Sequence, residues 1–100
     1  MSEIIALYKE DARQSVAQMR AACARWDEVA TGGRARDHLR KLSHQLRGSG
    51  RTYGFSGVTR VSKAIENIMM KLEKQTLSGS ESVRLSLQKK IDRLAADFKD

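Results

Sequence analysis

Residues 56–75 read SGVTRVSKAIENIMMKLEKQ, and the spacing of their apolar side chains predicts an amphipathic helix. The apolar residues recur at alternating steps of three and four, which places them on one stripe of an α-helix. A half-buried strand would instead alternate apolar and polar residues, and this stretch does not. The stripe consists of Val58, Val61, Ile65, Ile68 and Leu72.

Three further stretches of the chain repeat this pattern. The first is expected to end at residues 31–33, where two glycines follow a threonine, and the second to resume near Arg34 and stop at Gly54. The last follows a capping box formed by Ser78 and Glu81. The stripes consist of Ile5, Tyr8, Ala12, Val16, Met19, Cys23 and Trp26 in the first stretch, of Leu39, Leu42, Leu46 and Tyr53 in the second, and of Val83, Leu87, Ile91, Leu94 and Phe98 in the last.

Four amphipathic helices joined by short loops predict an all-α fold, an antiparallel up-down-up-down four-helix bundle that forms a single domain over residues 1–100. The 100 residues include no proline, and Met19, Met69 and Met70 are expected to help fill the core. The single cysteine, Cys23, has no partner for a disulfide, and no cysteine or histidine cluster indicates a metal site. No apolar run is long enough to span a membrane, so we expect a cytoplasmic protein, although a piece of a longer protein would look the same. We also expect a monomer.

The net charge of +7 and the pI near 10.0 fit three interpretations. The cations could bind nucleic acid, attract an acidic protein partner, or simply decorate the outer faces of the helices. The nucleic-acid alternative lacks a recognisable motif and interleaved aromatic residues. It would use Arg34, Arg36, Arg40, Lys41, Arg47 and Arg51.

One histidine stands out from the second stretch, where residues 43–55 read SHQLRGSGRTYGF. At 100° per residue His44 falls about 170° from the centre of the buried stripe, so its ring is expected to face solvent. Cations one helical turn away favour the neutral, nucleophilic imidazole and would stabilise an anion attached to it. Gly48 costs about 1 kcal/mol of helix propensity relative to alanine, as does Gly50, and it clears the space over the ring. This chemistry fits a histidine that receives a phosphoryl group from a protein donor.

The run from His44 to Phe55 closely resembles the core motif of histidine phosphotransfer (HPt) domains. That family typically reads H-x-[LI]-K-G, with another glycine ten residues after the histidine, which here is Gly54. The segment Ala64-Ile65-Glu66 also looks like the third helix of the family. The match is similar in particular to the phosphotransfer domain of chemotaxis histidine kinases.

The resemblance implies a role for each matching residue. His44 would accept the phosphoryl group on Nε2, and Arg47 would stabilise that group in place of the usual lysine, a change from a point charge to a planar fork. Glu66 would orient the imidazole through its other nitrogen, although helical-wheel arithmetic puts Glu66 on a flank, about 120° from the buried centre of its own helix. The residues expected to bind the partner are Arg40, Lys41, Gln45, Gly48 and Arg51.

The resemblance also implies the function, a phosphoryl carrier of a two-component phosphorelay without ATP-dependent activity of its own. His44 would receive the group from a receiver aspartate or a kinase domain and pass it to a response-regulator aspartate. No cofactor is expected on this chain, because the receiver would supply Mg²⁺. Two alternatives to phosphotransfer therefore stay open. One is the nucleic-acid binding described above, and the other is a module that binds a response regulator without carrying phosphate.

Overall fold

The computed structural model describes residues 2–26, 32–74 and 81–99. The described residues form four α-helices and no strand, which confirms the all-α prediction. None of these helices is long and apolar enough to cross a membrane. The helices are α1 (Ser2–Ala24), α2 (Gly32–Thr52), α3 (Ser56–Glu73) and α4 (Glu81–Asp97).

Neighbouring helices run antiparallel, and α1 and α3 each pack against both α2 and α4. Near the start of α1, Tyr8 Oη lies 3.0 Å from Ser49 Oγ at the end of α2. Further along α1, Gln18 Oε1 lies 3.2 Å from His38 Nε2, near the start of α2. Contacts of α2 with α3 and of α1 with the α4 segment have the same reversed order, and the four-helix bundle is confirmed. These contacts join Arg40 to Glu73, Arg47 to Glu66, Arg13 to Phe98 and Arg20 to Asp92.

The apolar stripes of the four helices meet in one core. Cys23 belongs to it, and burial raises the pKa of its thiol, so little reactive thiolate forms. At one end of the bundle the ring of Tyr8 lies 5.4 Å from that of Phe55 and 5.7 Å from that of Phe98. Among the described residues, the fully buried apolar side chains include Met19, Leu39, Val58, Ile65, Leu87, Ile91, Leu94 and Phe98.

The helix boundaries differ from the predicted ones at α1. This helix ends at Ala24, because the chain turns at Arg25 and brings Trp26 into the core. Gly32 is buried and begins α2 with Gly33, so the two glycines do not end α1 as predicted. Thr31 and Ser78 lie outside the described residues, and the predicted capping box with them.

Two residues predicted to lie in the core are more than one third exposed. Helix α2 ends at Thr52, and Tyr53 follows in a turn. The rotation of 100° per residue that placed Tyr53 on the buried stripe does not hold in this turn. Tyr53 is 37% exposed, and its ring stacks on that of Tyr8 with 4.3 Å between the centroids. Gly54 ends the helical run with a φ of +82°, as predicted. Met70 is 38% exposed, whereas its neighbour Met69 is buried.

Helices α2 and α3 approach each other closely at Gly50. A Cβ atom at this position would lie 2.9 Å from Thr59 Oγ1, 3.0 Å from Val58 Cγ1 and 3.2 Å from the Phe55 carbonyl oxygen. A Cβ atom at Gly48, half a turn earlier, would meet nothing within 4 Å. The two glycines therefore serve different purposes, because only Gly50 is required by the packing of the bundle.

The substitution Gly50→Ala should destabilise the protein, while Gly48→Ala should stabilise it. Overpacking between two helices costs about 1–3 kcal/mol, which exceeds the propensity gain of about 1 kcal/mol that alanine brings at either site. Urea denaturation followed by circular dichroism measures both changes in the free energy of unfolding. Equal changes in the two variants would contradict the assignment of Gly50 to helix packing.

Candidate functional site

His44 lies near the middle of α2 and turns away from the core. The buried side chains of α2 that face the other helices include Leu39, Leu42 and Leu46, and the His44 side chain is 63% exposed. This is the orientation that the apolar spacing predicts. The ring is thus available to a partner molecule that approaches α2 from solvent.

Glu66 of α3 holds one nitrogen of this ring. Its Oε2 lies 2.6 Å from His44 Nδ1, and its side chain is only 8% exposed. An ionised carboxylate only accepts hydrogen bonds, so Nδ1 carries the proton and donates it. In that tautomer Nε2 has a free lone pair, and no described residue forms a hydrogen bond with Nε2. The geometry therefore leaves Nε2 of the exposed ring without a partner among the described residues.

Arg47, one turn after His44, binds the other oxygen of the same carboxylate. Its Nη1 lies 2.8 Å from Glu66 Oε1, and its Nη2 lies 3.4 Å from His44 Nδ1. The second contact is not a hydrogen bond, because Nδ1 carries the proton that it donates to Glu66 and therefore cannot accept one. Arg47 therefore offsets the charge of Glu66 and holds one oxygen of its carboxylate, while the other oxygen contacts the imidazole. Its role toward a phosphoryl group stays a prediction.

Glu66 is more buried than its place on its own helix predicts. Helical-wheel arithmetic gives the angle between a residue and the apolar stripe of its own helix. It takes no account of side chains from a neighbouring helix that cover this residue. Here α2 and α3 approach closely at Gly50, and Ser43 and Ser62 of the same two helices are fully buried. His44 and Arg47 both contact the Glu66 carboxylate, whose side chain is only 8% exposed.

The other predicted partner-binding residues lie on the same side of α2 without touching the ring. Lys41 and Arg40 lie 3.1 and 3.2 Å from Asp37, and these hydrogen bonds, first from Lys41 and then from Arg40, hold the pKa of Asp37 below its ordinary value. Gln45 and Arg51 are exposed.

The nucleic-acid alternative gains no support from this surface. Three of the cations it would use, Arg40, Lys41 and Arg47, already pair with carboxylates of this chain. An ion pair within the protein leaves less charge to exchange for phosphate counterions.

A protein-family model of the Hpt domain matches residues 3–97. The chain belongs to the Hpt domain family. No curated protein and no solved structure gave a significant match to the chain. Membership in this family supports a histidine phosphotransfer role in phosphorelays, and Hpt domains are phosphocarrier modules rather than enzymes.

Two exposed cations of this Hpt domain escaped the sequence analysis. Arg60 and Lys63 are on α3 and precede Glu66 at steps of three residues, which places all three on one side of the helix. The three-residue spacing of these side chains is visible in the sequence. It points to the surface beside His44 only once Glu66 is known to contact His44. The spacing of residues around His44 along α2 predicts no residue of α3, so Arg60 and Lys63 are absent from the predicted binding residues.

Proposed function

We propose that the protein is an intermediate of a two-component phosphorelay that carries the phosphoryl group on Nε2 of His44. The observation that carries the proposal is the pair formed by an exposed ring and a buried carboxylate at 2.6 Å from its Nδ1. A histidine held in this way has a fixed tautomer and a free nitrogen on the side of the partner. Membership in the Hpt family supports the same chemistry.

The transfer step uses few groups of this chain. The Nε2 lone pair attacks the phosphorus of an aspartyl phosphate in line, the N–P bond forms, and the bond to the aspartate oxygen breaks. The ring gains positive charge as it forms this bond, and the proton on Nδ1 stays shared with Glu66, which stabilises that charge. Arg47 lies one turn from the developing phosphoryl charge and would offset it. A second receiver aspartate removes the group by the reverse step.

The other groups that the transfer step needs would come from the partner protein. We expect the receiver domain to supply Mg²⁺ and most of the transition-state stabilisation, and this chain to supply a positioned nucleophile without ATP-dependent activity. If the sequence is part of a longer kinase, the donor would be the ATP-binding domain of that kinase. The site residues of this proposal are His44, Glu66 and Arg47, with Arg40, Lys41, Gln45, Gly48 and Arg51 around them.

The test is direct transfer from a panel of phosphorylated receiver domains. The purified protein is incubated with each labelled receiver, and the label it gains is exposed to acid and to alkali. Phosphohistidine is lost in acid and retained in alkali, whereas an aspartyl phosphate is not retained in alkali. Failure of every receiver and every histidine kinase tested to label the protein would overturn the proposal.

Replacing Glu66 by alanine should slow phosphoryl acceptance. Loss of a carboxylate that orients a working imidazole costs about 10- to 100-fold elsewhere, because the ring can rotate and change tautomer. Glu66→Gln should retain part of the activity, since its amide oxygen still accepts from Nδ1. The measurement is the rate of label transfer from a receiver at saturating concentration.

A second glutamate of α3 provides the matched control for this prediction. Glu73 lies 3.7 Å from Arg40 and is exposed, so Glu73→Ala removes an equal charge from the same helix without touching His44. Its transfer rate should equal that of the wild type. Equal rates in the Glu66→Ala and Glu73→Ala variants would show that Glu66 does not position the ring.

A further inference from the structure

A shallow cavity of about 410 Å³ lies where the end of α2 meets the start of α3. Three of the side chains that line it, Arg51, Arg60 and Lys63, are cationic and exposed, and we call this site the basic pocket. None of the described residues that line it is acidic. The uncharged lining consists of Gly50, Gly54, Ser56 and Thr59.

Among the described residues, the basic pocket has no internal counter-charge. Further along the same surface, Arg47 pairs with Glu66 and Arg40 with Glu73. Within the part of the chain that the structure describes, no carboxylate forms an ion pair with the three cations of the pocket. Their charge is therefore free to act on another molecule.

The pocket lies within reach of any protein that docks over His44. Arg51 follows His44 by seven residues on the same face of α2, a rise of about 10 Å. Lys63 precedes Glu66 by one helical turn, on the side of α3 that faces His44. A specific interface covers about 800 Å² per partner, which corresponds to a disc of about 16 Å radius. A partner centred on His44 therefore covers the basic pocket.

A partner that covers three unpaired cations removes their hydration. If the partner supplies no negative charge, no attraction compensates this desolvation cost, and association is disfavoured. We propose that the basic pocket takes acidic side chains of the receiver partner and thereby selects which receivers dock on this protein. These side chains belong to the receiver surface about 10 Å from its phosphoacceptor aspartate, and are distinct from the carboxylates that bind Mg²⁺ beside that aspartate. The inference rests on the proposed function, since it names the partner chemistry of the same surface.

The test compares two double charge reversals in the complete chain. R60E/K63E reverses two cations of the pocket, while K89E/R93E reverses one lysine and one arginine that are exposed on α4, a helix that does not pack against α2. Both variants change the net charge by the same amount. The probe is a receiver domain that exchanges phosphoryl groups with the wild type, and the measurements are its association rate, its Kd and the transfer rate in the saturated complex.

We expect R60E/K63E to weaken receiver binding by about tenfold or more, mainly through slower association, and K89E/R93E to change it by no more than about threefold. Transfer within the saturated complex should stay near the wild-type rate. Carbodiimide, which joins an amine directly to a carboxylate, should cross-link Lys63 and not Lys89 to an acidic residue of the receiver. Reversal of that receiver residue to lysine should restore binding to R60E/K63E.

Three outcomes would overturn the inference. Equal losses in the two double variants would show general charge steering without a pocket. Unchanged association with slower transfer in R60E/K63E would show that these cations act on the chemistry at His44. Binding of duplex DNA that R60E/K63E abolishes would assign the pocket to nucleic acid. A wild type that exchanges phosphate with no receiver is a different result, and it would contradict the proposed function itself.

Discussion

Replacing His44 by glutamine is expected to abolish phosphoryl acceptance while leaving the fold intact. Glutamine offers no nitrogen lone pair that can attack phosphorus, so no label should be detectable. Its amide can still donate to the Glu66 carboxylate, which stays paired with Arg47 at 2.8 Å. Because the replaced ring lies on the surface, the free energy of unfolding should change by no more than about 0.5 kcal/mol.

The matched control is the other histidine of the chain. His38 is exposed on the same helix, and its Nε2 lies 3.2 Å from Gln18 Oε1. His38→Gln should accept phosphate at the wild-type rate, with the same small effect on a urea unfolding curve. Label retained by the His44→Gln variant and lost by the His38→Gln variant would move the acceptor to His38.

The fold follows from the sequence wherever a long apolar stripe determines it. Ile65 and Leu87 are fully buried because their helices place every third or fourth side chain against the core. The stripe rule is wrong at Tyr53, which lies just beyond the end of α2, where the positive φ of Gly54 redirects the chain. Periodicity describes a helix but does not locate its last residue.

The site is harder to predict than the fold because it depends on two helices. The sequence places His44 on the solvent side of α2, since that requires only the spacing within one helix. The burial of Glu66 depends on how closely α2 approaches α3, and at Gly50 a Cβ atom would collide with Val58 and Thr59. Only the resemblance to a known motif, and no periodicity, connected Glu66 to His44.

The ion pairs of the surface are likewise difficult to predict from the sequence, because they depend on contacts between helices. The net charge of +7 says nothing about which cations are neutralised within the chain. In the structure Arg40 and Arg47 have carboxylate partners, whereas Arg51 has none among the described residues. A partner that docks over His44 therefore meets unpaired cations at the basic pocket.

A long side chain at Gly48 should separate access to His44 from the stability of α2. Gly48 follows His44 by one turn on the same exposed face, and a Cβ atom there would meet nothing within 4 Å. Gly48→Gln should therefore stabilise the helix by several tenths of a kcal/mol. It should also slow transfer from a receiver by about 100-fold, because the glutamine side chain displaces the partner from in-line geometry at Nε2.

Two comparisons distinguish blocked docking from damaged chemistry. Gly48→Ala adds one methyl group, and it should gain similar stability while keeping transfer close to the wild-type rate. Phosphoramidate is a small donor that needs no docking surface, and it should phosphorylate His44 in the Gly48→Gln variant as fast as in the wild type. Slow reaction with phosphoramidate would mean that the substitution disturbs the ring or its bond to Glu66. Receiver transfer at the wild-type rate would mean that partners do not approach over Gly48, and the absence of a side chain there would need another explanation.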